Sequence, residues 1–198
     1  VLGDASNAYG KVISKSWLAR AKKEEVSFSP EAGWDDVKLK TFRRHIVELG
    51  KTGFTFIYDE LEAEEPVTWS YLLHTVTNPM NVNMVNEFVH VQATSKNGIS
   101  DAYLLGSDEL KTDTTSQFFT PATNWLRADD KGNFKKYPNH WHFTATSGKH
   151  KVYRFVTIIN THINKTTPDK PFAVPQRLKD GSIKMGSWII KANVSSEG

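Results

Sequence analysis

The chain has 198 residues, with 25 Lys plus Arg against 22 Asp plus Glu, a formal charge of only +3. That balance excludes a strongly polycationic nucleic-acid tail, and a hydrophobic share of 38% with 6 Trp, 6 Tyr and 11 Phe excludes disorder. The lack of cysteine removes disulfides, thiolate zinc sites and cysteine nucleophiles together. No apolar run approaches the roughly 18 residues of a membrane helix.

The chain opens Val-Leu-Gly-Asp, without an initiator Met or a charged segment ahead of an apolar stretch, so Val1 reads as a cut point. Residues 14–25 (SKSWLARAKKEE) hold good helix formers at poor apolar spacing and predict a surface excursion, not a core helix. Residues 39–49 (LKTFRRHIVEL) fit two periods. Leu39, Phe42, Ile46 and Leu49 have helical spacing, whereas Phe42, Arg44 and Ile46 alternate. A strand is predicted, because the segment runs through a Gly50–Gly53 turn into 54–59 (FTFIYD) as a hairpin does. In 67–76 (VTWSYLLHTV), Val67, Trp69, Tyr71 and Leu73 share one strand face; Thr68, Ser70, Leu72 and His74 share the other. Further strands are predicted over 84–94, 99–105, 141–146, 151–161 and 183–194. Turn chemistry such as Asn78-Pro79, Lys96-Asn97-Gly98 and Lys179-Asp180-Gly181-Ser182 bounds them. Residues 107–138 and 164–180 are polar, contain proline and read as long loops. The fold class is therefore all-β: an antiparallel β-sandwich of stacked sheets with little helix, spanning 1–198, with a sub-boundary allowed within 107–138.

Arg43-Arg44-His45, then Ile57-Tyr58-Asp59-Glu60-Leu61-Glu62-Ala63, Glu65-Pro66 and Trp69-Ser70-Tyr71-Leu72-Leu73-His74, make a distinctive set. It resembles the C-terminal β-rich region of the heparinase II/III-like polysaccharide lyases, with the heparinase II-like branch the nearer. Gly3-Asp4-Ala5 with Ala8-Tyr9 fits the segment that precedes the RRH strand there. The likeness is most specific over residues 1–76; further on, Trp141-His142-Phe143 and the final strand still agree. The resemblance implies a large bacterial enzyme, periplasmic or secreted, in which a helical toroid precedes stacked antiparallel sheets. Such enzymes cleave acidic polysaccharides, glycosaminoglycans among them, by β-elimination. The chemistry needs a base, usually Tyr or His, a group that offsets the uronate carboxylate, and an acid for the leaving oxygen.

None of the family's catalytic motifs matches a position in this sequence, so no catalytic residue is assigned. The family's metal site would lie upstream of Val1, which leaves no cofactor expected in this chain. Expected partners are the acidic polysaccharide, the toroid and upstream sheet of the parent protein, and a second copy paired through exposed sheet edges. Neither nucleic acid nor membrane is expected.

Arg43, Arg44 and His45 form the densest cationic spot and are candidates for contact with a polyanionic sugar. Asp59, Glu60, Glu62, Glu64 and Glu65 on the adjacent hairpin arm compete for them. His74 would either hydrogen-bond within the sheet or touch substrate. Trp17, Trp34 and Trp125 lie in loop-like stretches, where an indole stacks on a sugar or plugs the sandwich edge; Trp125 stands among the substrate candidates. His140 and His142 flank Trp141 at a spacing that zinc sites use, and are weak metal candidates. A third ligand from His74, His90 or His162 would need tertiary approach, and a half-exposed strand explains the pair equally. No nucleophile elbow, dinucleotide fingerprint or phosphate loop occurs. The expected role is to brace a lyase and line its substrate cleft. An independent module for acidic polysaccharide, or a complete enzyme with an unfamiliar site, are the rivals.

Overall fold

The computed structural model describes residues 1–6, 19, 22–23, 38–50, 53–76, 78–116, 127–128, 130–135, 140–163 and 173–195. In chain order the strands are β1 (Leu2–Asp4), β2 (Leu39–Glu48), β3 (Phe54–Thr75), β4 (Asn81–Val85), β5 (Phe88–Thr94), β6 (Gly98–Gly106), β7 (Lys111–Thr115), β8 (Arg127–Ala128), β9 (Phe134–Lys135), β10 (Trp141–Ile163), β11 (Gln176–Arg177), β12 (Ile183–Met185) and β13 (Trp188–Ile190). The principal sheet runs β1-β2-β3-β10-β6-β5-β4, with β7 joined to β10; β11-β12-β13 and β8-β9 form separate small sheets. All pairings are antiparallel, and the fold is an all-β sandwich.

The two-period segment 39–49 resolves as a strand for the reason its turn implies. The Leu49 N–H donates to the Phe54 carbonyl at 2.9 Å, and Gly50 and Gly53 take φ of 61° and 74°, which glycine adopts without penalty. The expected strands at 54–59 and 67–76 are one strand, β3, because what lies between them is a bend. Glu62 pairs with Val152 and Val67 with His150, so β3 carries extra residues in a bulge. Pro66 falls in that bulge, where its missing N–H removes no ladder bond. In the same way 141–146 and 151–161 merge into β10, whose Ser147 and Gly148 stand between the Thr146–Ser70 and Lys149–Thr68 pairs.

The bends let the principal sheet double back on itself. Trp69, Tyr71, Phe143 and Ala145 from the folded-over half pack with Val89, Val91, Ala102, Leu104 and Phe155 of the other half. The Tyr71 and Phe155 rings lie 5.5 Å apart across that layer. Val67 and Leu73 join the core beside Trp69 and Tyr71, while Thr68, Ser70, Leu72 and His74 are exposed, as the alternation requires. The opposite sheet face presents Phe56, Phe88, Tyr103, Leu105, Val156 and Ile158, covered by Ile183 and Met185 of the small sheet and by Val194. Each large side chain buried this way contributes roughly 1.5–3 kcal/mol.

Several boundaries differ from those expected. The run 84–94 is two strands, β4 and β5, split by an Asn86-Glu87 turn in which Asn86 sits at φ 54°. The run 183–194 splits likewise at Gly186, φ 59°, and Ser187. The supposed 107–138 loop contains β7 and the β8–β9 pair, and 164–180 contains β11. Within 14–25, Ala19, Lys22 and Lys23 are described; they are helical and exposed, in keeping with a surface excursion.

Candidate functional site

Strand alternation divides the Arg43-Arg44-His45 spot between two faces. Arg44 lies on the Tyr71 side, donating from Nε to Asp59 Oδ1 at 2.6 Å and from Nη2 to Oδ2 at 2.8 Å. Its guanidinium also lies 5.3 Å from the Tyr71 ring centre. Asp59 is its direct cross-strand partner and is buried. On the other face Arg43 Nε donates to Asp4 Oδ2 at 2.9 Å, and His45 Nε2 lies 2.7 Å from Glu60 Oε2. Hydrogen bonds from the Ser6 hydroxyl and N–H, then from Arg43, hold the Asp4 carboxyl down at about 2. All three candidate cations thus face a carboxylate of the hairpin or of β1. Lys38–Glu64 at 3.4 Å and Lys40–Glu62 at 3.5 Å continue the pattern.

His74 is exposed on the outer face of β3 and pairs directly with His142, their rings edge-on at 4.6 Å. His142 is buried between β3 and β7, not half-exposed as expected. Burial first, then His74 and His140, push its pKa below the ordinary histidine value. Trp141 and Phe143 do join the core. Among the described residues no group of three His, Asp or Glu is placed to hold a metal ion. Trp125, with Trp17 and Trp34, lies outside the described residues.

Two carboxylate nodes emerge that the sequence did not single out. Asp108, between β6 and β7, accepts from the Tyr153 hydroxyl at 2.6 Å on Oδ1, while His150 Nε2 lies 2.6 Å from Oδ2. Tyr153 is fully buried; that burial, then the bond to Asp108, push its phenol far above the usual range. The Trp69 indole N–H ties the node to the folded-over half by donating to the His150 carbonyl at 3.0 Å. Asp101 on β6 is the second node. Gln92 Nε2 donates to Oδ1 at 2.9 Å, His90 Nε2 lies 2.8 Å from the same oxygen, and His162 Nε2 lies 3.0 Å from Oδ2. Burial opposes the Asp101 carboxylate, but hydrogen bonds from Gln92, His162 and His90 outweigh it and hold the group below its usual range. Tyr103 stacks on His90 at 4.7 Å, and burial, then the Asp101 charge, push it up to about 12.

A hollow of about 690 Å³ opens where the small sheet and the tail meet the end of β6, lined by Ser107, Arg177, Asp180, Lys191, Asn193 and Ser195 among others. Its frame is tied down. Asp180 Oδ1 accepts from the Ser182 hydroxyl at 2.6 Å and N–H at 3.1 Å, and Asn193 Oδ1 accepts from the Ser195 N–H at 3.0 Å. The Tyr58 hydroxyl donates to the Asn193 carbonyl at 2.8 Å, and Ser107 Oγ accepts from the Arg154 N–H at 2.9 Å. Two smaller hollows of about 340 and 360 Å³ adjoin it, and Arg177 lines all three.

No protein-family model matches this chain, and no curated protein matches it. The site therefore rests on its own geometry. The histidines of the described sheets sit against carboxylates or one another. Arg177 and Lys191 come together at the hollow. Residues 179–182 read as a turn in the sequence, and a turn does not announce a hollow. It forms only when the 173–195 segment folds across Ser107.

Proposed function

We propose that this chain is the C-terminal sandwich portion of a polysaccharide lyase that cuts acidic, uronate-containing glycans by β-elimination. In this role it braces the sheet stack and lines substrate, and the proton-moving groups belong to the rest of the parent enzyme. The residue pattern around Arg43-Arg44-His45 and Trp69–His74 supports the family, and the antiparallel sandwich is the architecture that family implies.

The observation that carries the non-catalytic role is the state of the tyrosine–histidine pairs. His45 with Tyr58, His90 with Tyr103 and His150 with Tyr153 are adjacent, as an eliminating base and its partner would be. Each histidine is engaged by a carboxylate: Glu60, Asp101 or Asp108. The tyrosines are the committed members of the pairs: Tyr58 donates to a backbone carbonyl, and Tyr103 and Tyr153 are buried. A base must reach its proton directly or through one water, and a buried phenol with a raised pKa does not.

Purified chain incubated with heparin, chondroitin and alginate should give no unsaturated uronate by ultraviolet absorbance. Sustained turnover would refute the proposal. A second expectation concerns the sheet edges. Among the described residues the principal sheet ends in β1 and β4, where Leu2 and Met84 are exposed, and such edges pair with other chains unless covered. On this reading the upstream sheet of the parent enzyme would cover one of these edges. Without it, light scattering of the isolated chain should give a dimer mass that falls to monomer when a lysine replaces Leu2; a monomer from the start would remove this expectation.

A further inference from the structure

We propose that the hollow centred on Arg177 and Lys191 binds an acidic sugar unit of a polymer, with the chain of sugars continuing into the adjoining hollow beside Lys179. For the class of polymer this rests on the function proposed above; for the existence of a binding site it rests on the hollow alone.

Along β2 and its approach the basic side chains are paired with carboxylates: Arg43 with Asp4, Arg44 with Asp59, Lys38 with Glu64 and Lys40 with Glu62. At the hollow the balance differs. Among the described residues Lys191 has no carboxylate at ion-pair distance. Asp180 feels its charge but turns its own carboxylate onto Ser182, whose hydroxyl and N–H hold that acid below its usual range before Lys191 adds to the effect. Arg177 meets Glu87 only at 3.6 Å, with both side chains largely exposed, a contact of little strength. An incoming carboxylate or sulfate can displace Glu87 and bridge the guanidinium to the ammonium of Lys191.

The lining favours a sugar over a bare anion. The lining mixes two cations with the Asp180 carboxylate, Ser107, Ser195 and Asn193. A free sulfate or phosphate gains from the cations but is opposed by Asp180. A uronate or sulfated sugar presents its anion to Arg177 and Lys191 and a hydroxyl donor to Asp180, so both signs of charge are used. The main hollow, at about 690 Å³, falls within the usual range for small-molecule sites. The neighbour of about 340 Å³ shares Arg177 and Gly181 with it and adds Lys179, which suits a second acidic sugar, whereas the one of about 360 Å³ is lined by Glu87, Asp108 and Glu109 and disfavours one. The frame is rigid before any ligand arrives, since Tyr58 clamps the Asn193 carbonyl and Asn86 Nδ2 donates to the Pro175 carbonyl at 2.8 Å. Preorganisation of this kind lowers the ordering penalty of binding.

The test is calorimetric titration of the full chain with size-defined chondroitin and alginate tetrasaccharides, a neutral cello-oligosaccharide and inorganic sulfate. The acidic tetrasaccharides should bind, more weakly as salt rises, and better than either control. Arg177→Ala and Lys191→Ala should each weaken binding about tenfold, Lys191→Arg should restore it, and Glu87→Gln, which removes the competing carboxylate, should strengthen it about twofold. Thermal unfolding of the variants should match the parent, because these side chains are on the surface. Equal affinity for inorganic sulfate, or acidic-sugar binding indifferent to both alanine variants, overturns the proposal, as does absence of binding. The two readings fail separately. Turnover by the chain refutes the proposed non-catalytic role while leaving the hollow's binding intact, and a chain that neither cuts nor binds keeps the bracing role and loses the hollow.

Discussion

Gly106→Ala should destabilise the fold by about 3 kcal/mol, read from the midpoint of urea unfolding, although the substitution adds one methyl group. Gly106 takes no left-handed backbone conformation, so the effect is one of space and not of φ. A Cβ built there overlaps the hydroxyl oxygen of Tyr153 and approaches the Asp108 carbonyl and Leu110 Cδ2 to 3.1 Å each. Tyr153 is fully buried in the strand that joins both halves of the doubled sheet, so its ring has nowhere to retreat. The added methyl must push the hydroxyl off Asp108. That sacrifices a 2.6 Å hydrogen bond to a carboxylate, a class worth roughly 1.5–3 kcal/mol, and adds overpacking strain. Tyr153→Phe alone should cost about 2 kcal/mol, from the same lost bond. The decisive measurement is the double variant. Removing the hydroxyl also removes the overlap, so Gly106→Ala with Tyr153→Phe should unfold at a higher urea concentration than the sum of the single effects allows. Additive losses would show that Gly106 matters for something other than room for the phenol.

The same region shows what a sequence can and cannot disclose. The faces of β3 were legible because burial of one sheet face imposes period two, and Trp69 and Tyr71 against Ser70 and Leu72 obey it. The ends of strands were less legible. Pro66 and Gly148 look like terminators, yet they sit at bulges where a strand turns the corner of the sandwich and continues. Asn86-Glu87 was invisible as a turn because the residues on both sides favour strands and no Asn-Gly marks it.

Chemistry was less legible still. The pairing of Arg44 with Asp59 follows from hairpin register, so the carboxylates near the cationic spot could be listed as competitors in advance. Asp108 meets His150 and Tyr153, and Asp101 meets His162, across more than 40 residues of chain. Which residues face each other there depends on how many residues each bulge holds, a quantity that alternation does not encode. The hollow at Arg177 is a stage further removed, since it lies between sheets.

Asp101→Ala should cost about 3–4 kcal/mol. Asp101 is buried, and its loss strands three donors at once: the Gln92 amide and the Nε2 positions of His90 and His162. Asp101→Asn keeps the shape and one acceptor and should cost less, about 1–2 kcal/mol. The pH dependence separates the charge from the hydrogen bonds. The folded carboxyl lies below its unfolded value near 3.9, so its stabilisation is complete above that value and drains away as pH falls through the folded value. The stability gap between the native chain and Asp101→Asn should therefore narrow below about pH 4. Tyr103 provides the opposite limb. Its folded pKa is raised to about 12 against an unfolded value near 10, so it stabilises the fold up to about pH 10, and that contribution is lost between there and about 12. Burial is the larger cause of that rise and the Asp101 charge the second. Asp101→Asn should accordingly bring one tyrosine's ionisation, followed by ultraviolet absorbance, part of the way back toward 10. An unchanged tyrosine titration would mean that Asp101 and Tyr103 do not share one electrostatic environment, and the picture of β5, β6 and β10 locked through a single carboxylate would fall with it.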